Sequence, residues 1–200
     1  VKLLDGGLTD NLGLSGLVLA RLAAKQPYEP LKPREAIRIE RMLFVIVDAG
    51  RPPAGDWAKT PDGPEAQELI LAVSDTAIDA NVRGSYDYFR NAVSEWRQEL
   101  IDYRCGLPRA EARRIAGVGA DWKCDDLDFF TTRVAFDQMP DEDVRDKLDS
   151  IPTRFKLPEA DVDLLIRSAG EILRNDEEYL SFLKSFSSEM VISRRMTLER

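Results

Sequence analysis

The 200-residue chain contains no histidine. Within these residues that excludes a Ser-His-Asp triad, an HExxH zinc site and any histidine-ligated metal or haem. Cysteine is scarce. Cys105 and Cys124 are the only two, too few for a thiolate zinc site. No apolar run approaches the ~20 residues that a helix needs to cross a bilayer. The longest, Met42 to Val47, is the size of a strand. Positive charge is in deficit, with 28 Lys plus Arg against 36 Asp plus Glu and a net charge of -8. A chain of that sign argues against non-specific nucleic-acid binding, which needs a basic face to displace counterions, and has no charge attraction to anionic lipid. Any chemistry must use carboxylates, hydroxyls and backbone donors, or complete a site whose other half lies elsewhere.

What is present is enough apolar material for a core: 44% hydrophobic residues beside 32% charged. Those are the proportions of a helix-rich globular domain, and the length suits a single domain over 1–200 or the larger part of one. Val1 to Leu4 reads as a buried strand with no lead-in, and the first residue is not Met, so a piece of a longer protein is expected. Asp5-Gly6-Gly7 ends that strand, and a loop runs on to Asn11. Leu14, Leu17, Val18 and Leu22 then fall on one helical stripe. Asp10 or Asn11 is the natural N-cap, since a short side-chain oxygen can accept from a free backbone N–H of the first turn. Pro27, Pro30 and Pro33 predict an irregular linker. Met42 to Val47 predicts a second strand, closed by Asp48-Ala49-Gly50. Its unbroken apolar run implies a sheet covered on both faces. Strand, helix and strand over residues 1–50 have the spacing of a parallel βαβ unit.

Residues 64–200 read as mainly helical with one further strand. Arg51 to Gly63, rich in Pro and Gly around Trp57, predicts a surface loop. Pro64 to Arg104 has a helical pattern so long that a break is expected near Ser74-Asp75-Thr76 or at Gly84. Tyr86, Tyr88 and Phe89 with Trp96 predict a buried stripe on it. Leu107 to Ala116 predicts a short basic helix, and Asp128 to Phe136 a third strand. Pro140 to Leu148 predicts a helix whose acidic first turn suits the helix dipole. Ile151-Pro152-Thr153 breaks the chain. Pro158 to Arg174 predicts an amphipathic helix with Val162, Leu165, Ile166, Ala169, Ile172 and Leu173 inward, and Tyr179 to Phe186 another. The fold class expected is α/β, with a mostly parallel sheet and a helical C-terminal half. Cys105 and Cys124 would pair as a disulfide in an exported protein and stay free thiols in the cytosol; the sequence leaves both open.

Asp5 is the first place to look for chemistry. In open α/β sheets, functional groups collect at the carboxyl ends of strands, and two following glycines let the backbone pass close to another group. The plain alternative is an ordinary Asp-Gly turn. The longer string Leu3-Leu4-Asp5-Gly6-Gly7-Leu8-Thr9-Asp10-Asn11-Leu12-Gly13-Leu14 resembles the Asp-Gly-Gly motif of patatin-like phospholipases. Val45 to Ala49, Phe136-Asp137, Ile151 to Phe155 and Leu157 to Leu173 resemble later, looser parts of bacterial members.

The resemblance implies the C-terminal part of a patatin-like catalytic domain, hence a partial three-layer α/β/α fold. It implies a lipid acyl hydrolase working by a Ser-Asp dyad, with no cofactor and no metal. Asp5 would be the catalytic carboxylate that accepts the serine proton, and Gly6, Gly7 and Asn11 would shape its loop. A carboxylate within hydrogen-bond reach of a hydroxyl can serve as base without histidine. Substrates would be lipid or other acyl esters, met with or without peripheral membrane contact, in a bacterial protein whose compartment the sequence leaves open between exported, membrane-associated and cytosolic.

The chain departs from the family in lacking the G-x-S-x-G elbow. Gly13-Leu14-Ser15-Gly16 has the wrong spacing and puts Ser15 on a helix. Gly117-Val118-Gly119 is too short for an oxyanion loop. The nucleophile would therefore lie in a missing N-terminal half, these residues alone would be inactive, and an exposed sheet edge would favour self-association. Asp48 reads as a turn or cap residue, and Asp75, Asp79 and Asp87 as solvated helix carboxylates. The competing account is a non-catalytic helical protein-interaction module, in which Asp5 is only a turn residue.

Overall fold

A computed structural model describes residues 10, 12–50, 65–152 and 154–186, apart from the side chains of 67, 68, 70–72, 74 and 75. The expected first strand, the loop around Trp57 and the arginine-rich end lie outside these residues. The described elements are α1 (Ser15–Leu22), α2 (Pro33–Arg38), β1 (Arg41–Asp48), α3 (Ala66–Gly106), α4 (Arg109–Ala116), β2 (Asp128–Ala135), a 3-10 turn (Phe136–Gln138), α5 (Glu142–Ser150) and α6 (Glu159–Asn175). A further helical stretch occupies 177–186. The class is α/β: helices accompany a two-stranded parallel sheet formed by β1 and β2. The chain divides into two compact units, one of 1–42 with 53–129 and one of 43–52 with 130–200.

In the first unit α3 runs unbroken through both places where a break was expected. No proline interrupts 65–106. Gly84 costs the helix about 1 kcal/mol, yet Val82 and Phe89 on either side are buried. The same stripe continues through Val93, Trp96 and Leu100, and its packing outweighs the local penalty. Tyr88 departs from that stripe and is exposed, while the Tyr86 ring lies 5.9 Å from the Arg90 guanidinium. Helix α1 presses Val18 against this stripe beside Phe89, Val93 and Trp96. Arg21 fixes the contact by donating to Glu99 and to the Glu29 carbonyl, with its guanidinium 5.4 Å from the Trp96 ring.

The proline linker is more ordered than its composition suggested. Pro33 opens α2, because a residue without N–H costs nothing at a first helical position. The Glu35 carboxylate accepts from the Lys32 N–H at 2.8 Å. Ile37 and Ala36 are fully buried, Ile37 against Ala112 and Ala116 of α4. Helix α4 ends on Gly117 at φ 68, the left-handed cap that glycine adopts without steric cost.

In the second unit Val134, Met139, Leu148 and Ile172 form the core, joined by Val144, Leu164, Leu165, Ala169 and Leu173. Helix α5 starts as expected: Asp141 accepts from the Val144 N–H at 3.0 Å, with Glu142 and Asp143 in the first turn. Helix α6 places Leu165, Ala169, Ile172 and Leu173 in the core as expected. Leu164 also packs inward, whereas Val162 is exposed and Ile166 is 66% exposed.

Strand β1 corrects another expectation. Ile46 and Asp48 are buried, but Val45 is 44% and Val47 69% exposed. Among the described residues only β2 pairs with it; the exposure of Val45 and Val47 leaves one face of the strand uncovered despite the apolar run.

Candidate functional site

Asp5, Gly6, Gly7 and Asn11 lie outside the described residues. The nearest described group is Asp10. Its carboxylate accepts from the Leu14 N–H at 3.0 Å and the Ser15 N–H at 3.1 Å. Gly13, at φ 67, turns the chain so that this reach is possible. Asp10 thus satisfies two free donors at the start of α1, as an N-cap would, although Leu14 occupies the cap position itself. Ser15 is the first residue of α1, so it lies on a helix as expected.

Beside this anchored helix start lies an open groove of roughly 220 Å³. Leu14, Val18, Leu19 and Leu22 of the α1 region form one wall, and Ser85 and Tyr88 of α3 the other. Its lining among the described residues is mostly apolar, with Ser15, Ser85 and Tyr88 as the polar members.

At the carboxyl end of β1, Asp48 is only 3% exposed. It accepts from Arg133 of β2 twice, at 3.0 Å from Nε and 2.7 Å from Nη2, and its other oxygen accepts from the Gly50 N–H at 2.9 Å. Arg133 also donates to Asp137 at 3.0 Å. Burial disfavours the Arg133 guanidinium, but its hydrogen bonds to the two carboxylates outweigh that and hold its pKa above the ordinary value. With its oxygens engaged in this way, Asp48 acts as a strand-end clamp, in line with a turn or cap role. Removing one member of such a pair strands a buried charge and costs about 3–5 kcal/mol. The sequence signal for it was a lone arginine inside an otherwise β-branched and aromatic strand.

A buried arginine, Arg104, was missed altogether. It has no exposed surface. Its Nη1 donates to the Ile39 carbonyl at 2.7 Å, and Nη2 donates to the carbonyls of Lys123 at 2.9 Å and Asp126 at 3.1 Å. Burial lowers its pKa, partly countered by the charges of Asp126, Glu40 and Asp125. Taking a guanidinium out of water costs several kcal/mol. Hydrogen bonds from a charged donor return about 1.5–3 kcal/mol each, so the two roughly cancel. The readable signal was its position four residues after Leu100 on the apolar stripe of α3. Next to it, Cys105 is bonded to Cys124 across a separation of 19 residues, which settles the open choice in favour of the disulfide. A link of that span contributes about 3 kcal/mol in the chain-entropy model.

Asp79 pairs with Arg83 on the surface, and Asp87 is exposed, as solvated helix carboxylates should be. Among the described residues no group of three or more acidic or cysteine side chains is placed to hold a metal, and no helix is long and apolar enough to cross a membrane. No family model matches the chain, and no curated protein or solved structure gives a significant match.

Proposed function

We propose that the chain is the C-terminal part of a patatin-like serine lipid acyl hydrolase and that it supplies the dyad base, Asp5. One observation carries this reading: the string Leu3-Leu4-Asp5-Gly6-Gly7 through Asn11, ending in a helix start that Asp10 ties down with two hydrogen bonds. The α/β class is compatible with a partial three-layer domain. In the proposed reaction Asp5 takes the proton of a serine hydroxyl as that oxygen attacks the ester carbonyl. The proton passes to the departing alcohol, and water then releases the acyl group by the reverse relay. The 200 residues hold no G-x-S-x-G, so on this reading the serine and its oxyanion donors come from outside them, and the chain alone does not turn over esters. Substrates would be acyl esters of phospholipids or neutral lipids.

The test is fluorophosphonate labelling of the protein that includes the serine elbow, wild type beside Asp5→Asn. The expected result is labelling of one serine that drops sharply in the variant, with ester turnover falling by about 10²–10⁴-fold and the far-UV spectrum unchanged. Equal labelling of a folded Asp5→Asn variant would refute the reading. The competing interaction module draws support from the exposed Leu69 and Val73 on α3, and it would stand if no serine were labelled in either protein.

A further inference from the structure

Arg104 and the disulfide fasten the same two pieces of backbone. The guanidinium on α3 reaches the Lys123 carbonyl, and the next residue on α3, Cys105, is bonded to Cys124, the residue after Lys123. Trp122 closes the same place: its ring centroid lies 5.6 Å from the Arg104 guanidinium, and its Nε1 donates to the Ile37 carbonyl at 3.0 Å. The Nε of Arg104 is buried without a hydrogen-bond partner, and among the described residues Arg104 forms no ion pair. Its burial therefore brings little net stabilisation; Arg109 donates to the Ala120 carbonyl at 3.3 Å, Val118 and Trp122 pack on the Ile37 cluster, and the covalent link is the strongest single tie on the segment. Past this segment Arg97 takes over, donating to the Leu127 carbonyl at 2.7 Å and to Asp128 at 3.0 Å. Any opening on loss of the disulfide is thus bounded by the start of β2.

We propose that closure of Cys105–Cys124 is an oxidative maturation step, and that Arg104 and residues 118–126 hold their native arrangement only in the oxidised chain. Closure breaks two S–H bonds and forms one S–S bond. Two electrons and two protons pass to a disulfide-bearing oxidant, which leaves as a dithiol. A dithiol reductant reverses the step by thiolate attack, and Cys105 is an exposed residue near the end of α3. The proposal is independent of the acyl-hydrolase reading, since neither Asp5 nor any ester enters it.

Hydrogen exchange on the full chain tests this. The oxidised protein is compared with the same protein folded first and then reduced by a dithiol, with both thiols counted, and with a Cys105→Ser/Cys124→Ser variant. Amides over 118–126 should exchange on the order of 100-fold faster in the reduced chain, as the loop-closure contribution of the link implies. Amides over 134–175 should keep their rates, and the double-serine variant should behave as the reduced chain does and ignore the reductant. Unchanged exchange over 118–126 in the reduced wild type would overturn the proposal. So would equal acceleration everywhere, which would make the link a general support and not a clamp on this segment. The reduced wild type decides the matter if the double variant fails to fold.

Discussion

Tyr103 lies on α3 with its ring centroid 5.0 Å from that of Tyr28. Burial raises its pKa above 10.0, and the neighbouring Tyr28 and Glu111 push it the same way. The folded chain thus holds the phenolic proton more tightly than the unfolded chain does. The stability this adds is fully present below pH 10 and is lost as pH rises through the folded-state value. Urea unfolding measured at a series of alkaline pH values should show this loss, and Tyr103→Phe should flatten it. At this scale the sequence was legible where a residue acts on its own stretch of chain. Asp10 was readable as a cap because its partners, Leu14 and Ser15, are near neighbours. Arg104 and Arg133 stood out only as arginines in apolar stretches, and their partners Ile39 and Asp48 were not readable, because they lie 65 and 85 residues away where no local pattern records them.

Helix and strand positions were largely readable, since hydrophobic spacing is a local property. β1, α4, β2 and α6 fall close to their expected spans. Two misreadings share a cause, the override of local preference by packing. Gly84 suggests a stop, but buried Val82 and Phe89 hold α3 across it. On α6 the apolar residues cover more of the helix surface than the core needs. The core takes Leu164 beside the expected Leu165, Ala169, Ile172 and Leu173 and leaves Ile166 in water. The glycine itself offers a check. It is helical, and nothing lies within 4 Å of where a Cβ would stand. Gly84→Ala should stabilise the protein by about 1 kcal/mol, seen as a higher urea midpoint with an unchanged slope. A midpoint that falls would mean that the helix bends at this position in solution.

For the molecule as a whole, α/β class followed from alternating strand and helix signals. The partnership of β1 with β2 did not, because it joins residues on either side of the long α3. The candidate dyad carboxylate was visible only as a motif, and the residues that carry it lie outside those described. Charge is the other global property. The excess of acidic groups sets the isoelectric point near 4.8, so repulsion between molecules is lost there. Turbidity measured from neutral to acid pH should peak near that value and clear again below it.

The bare valines of β1 have a thermal consequence. Attraction between apolar surfaces weakens on cooling, because it draws on the entropy of the water released. Whatever settles on Val45 and Val47, a second copy of the chain or another surface, will therefore be gripped more firmly in a warm solution than in a chilled one. A preparation that stays dispersed on ice can cluster when brought to assay temperature, and chilling will disperse it again.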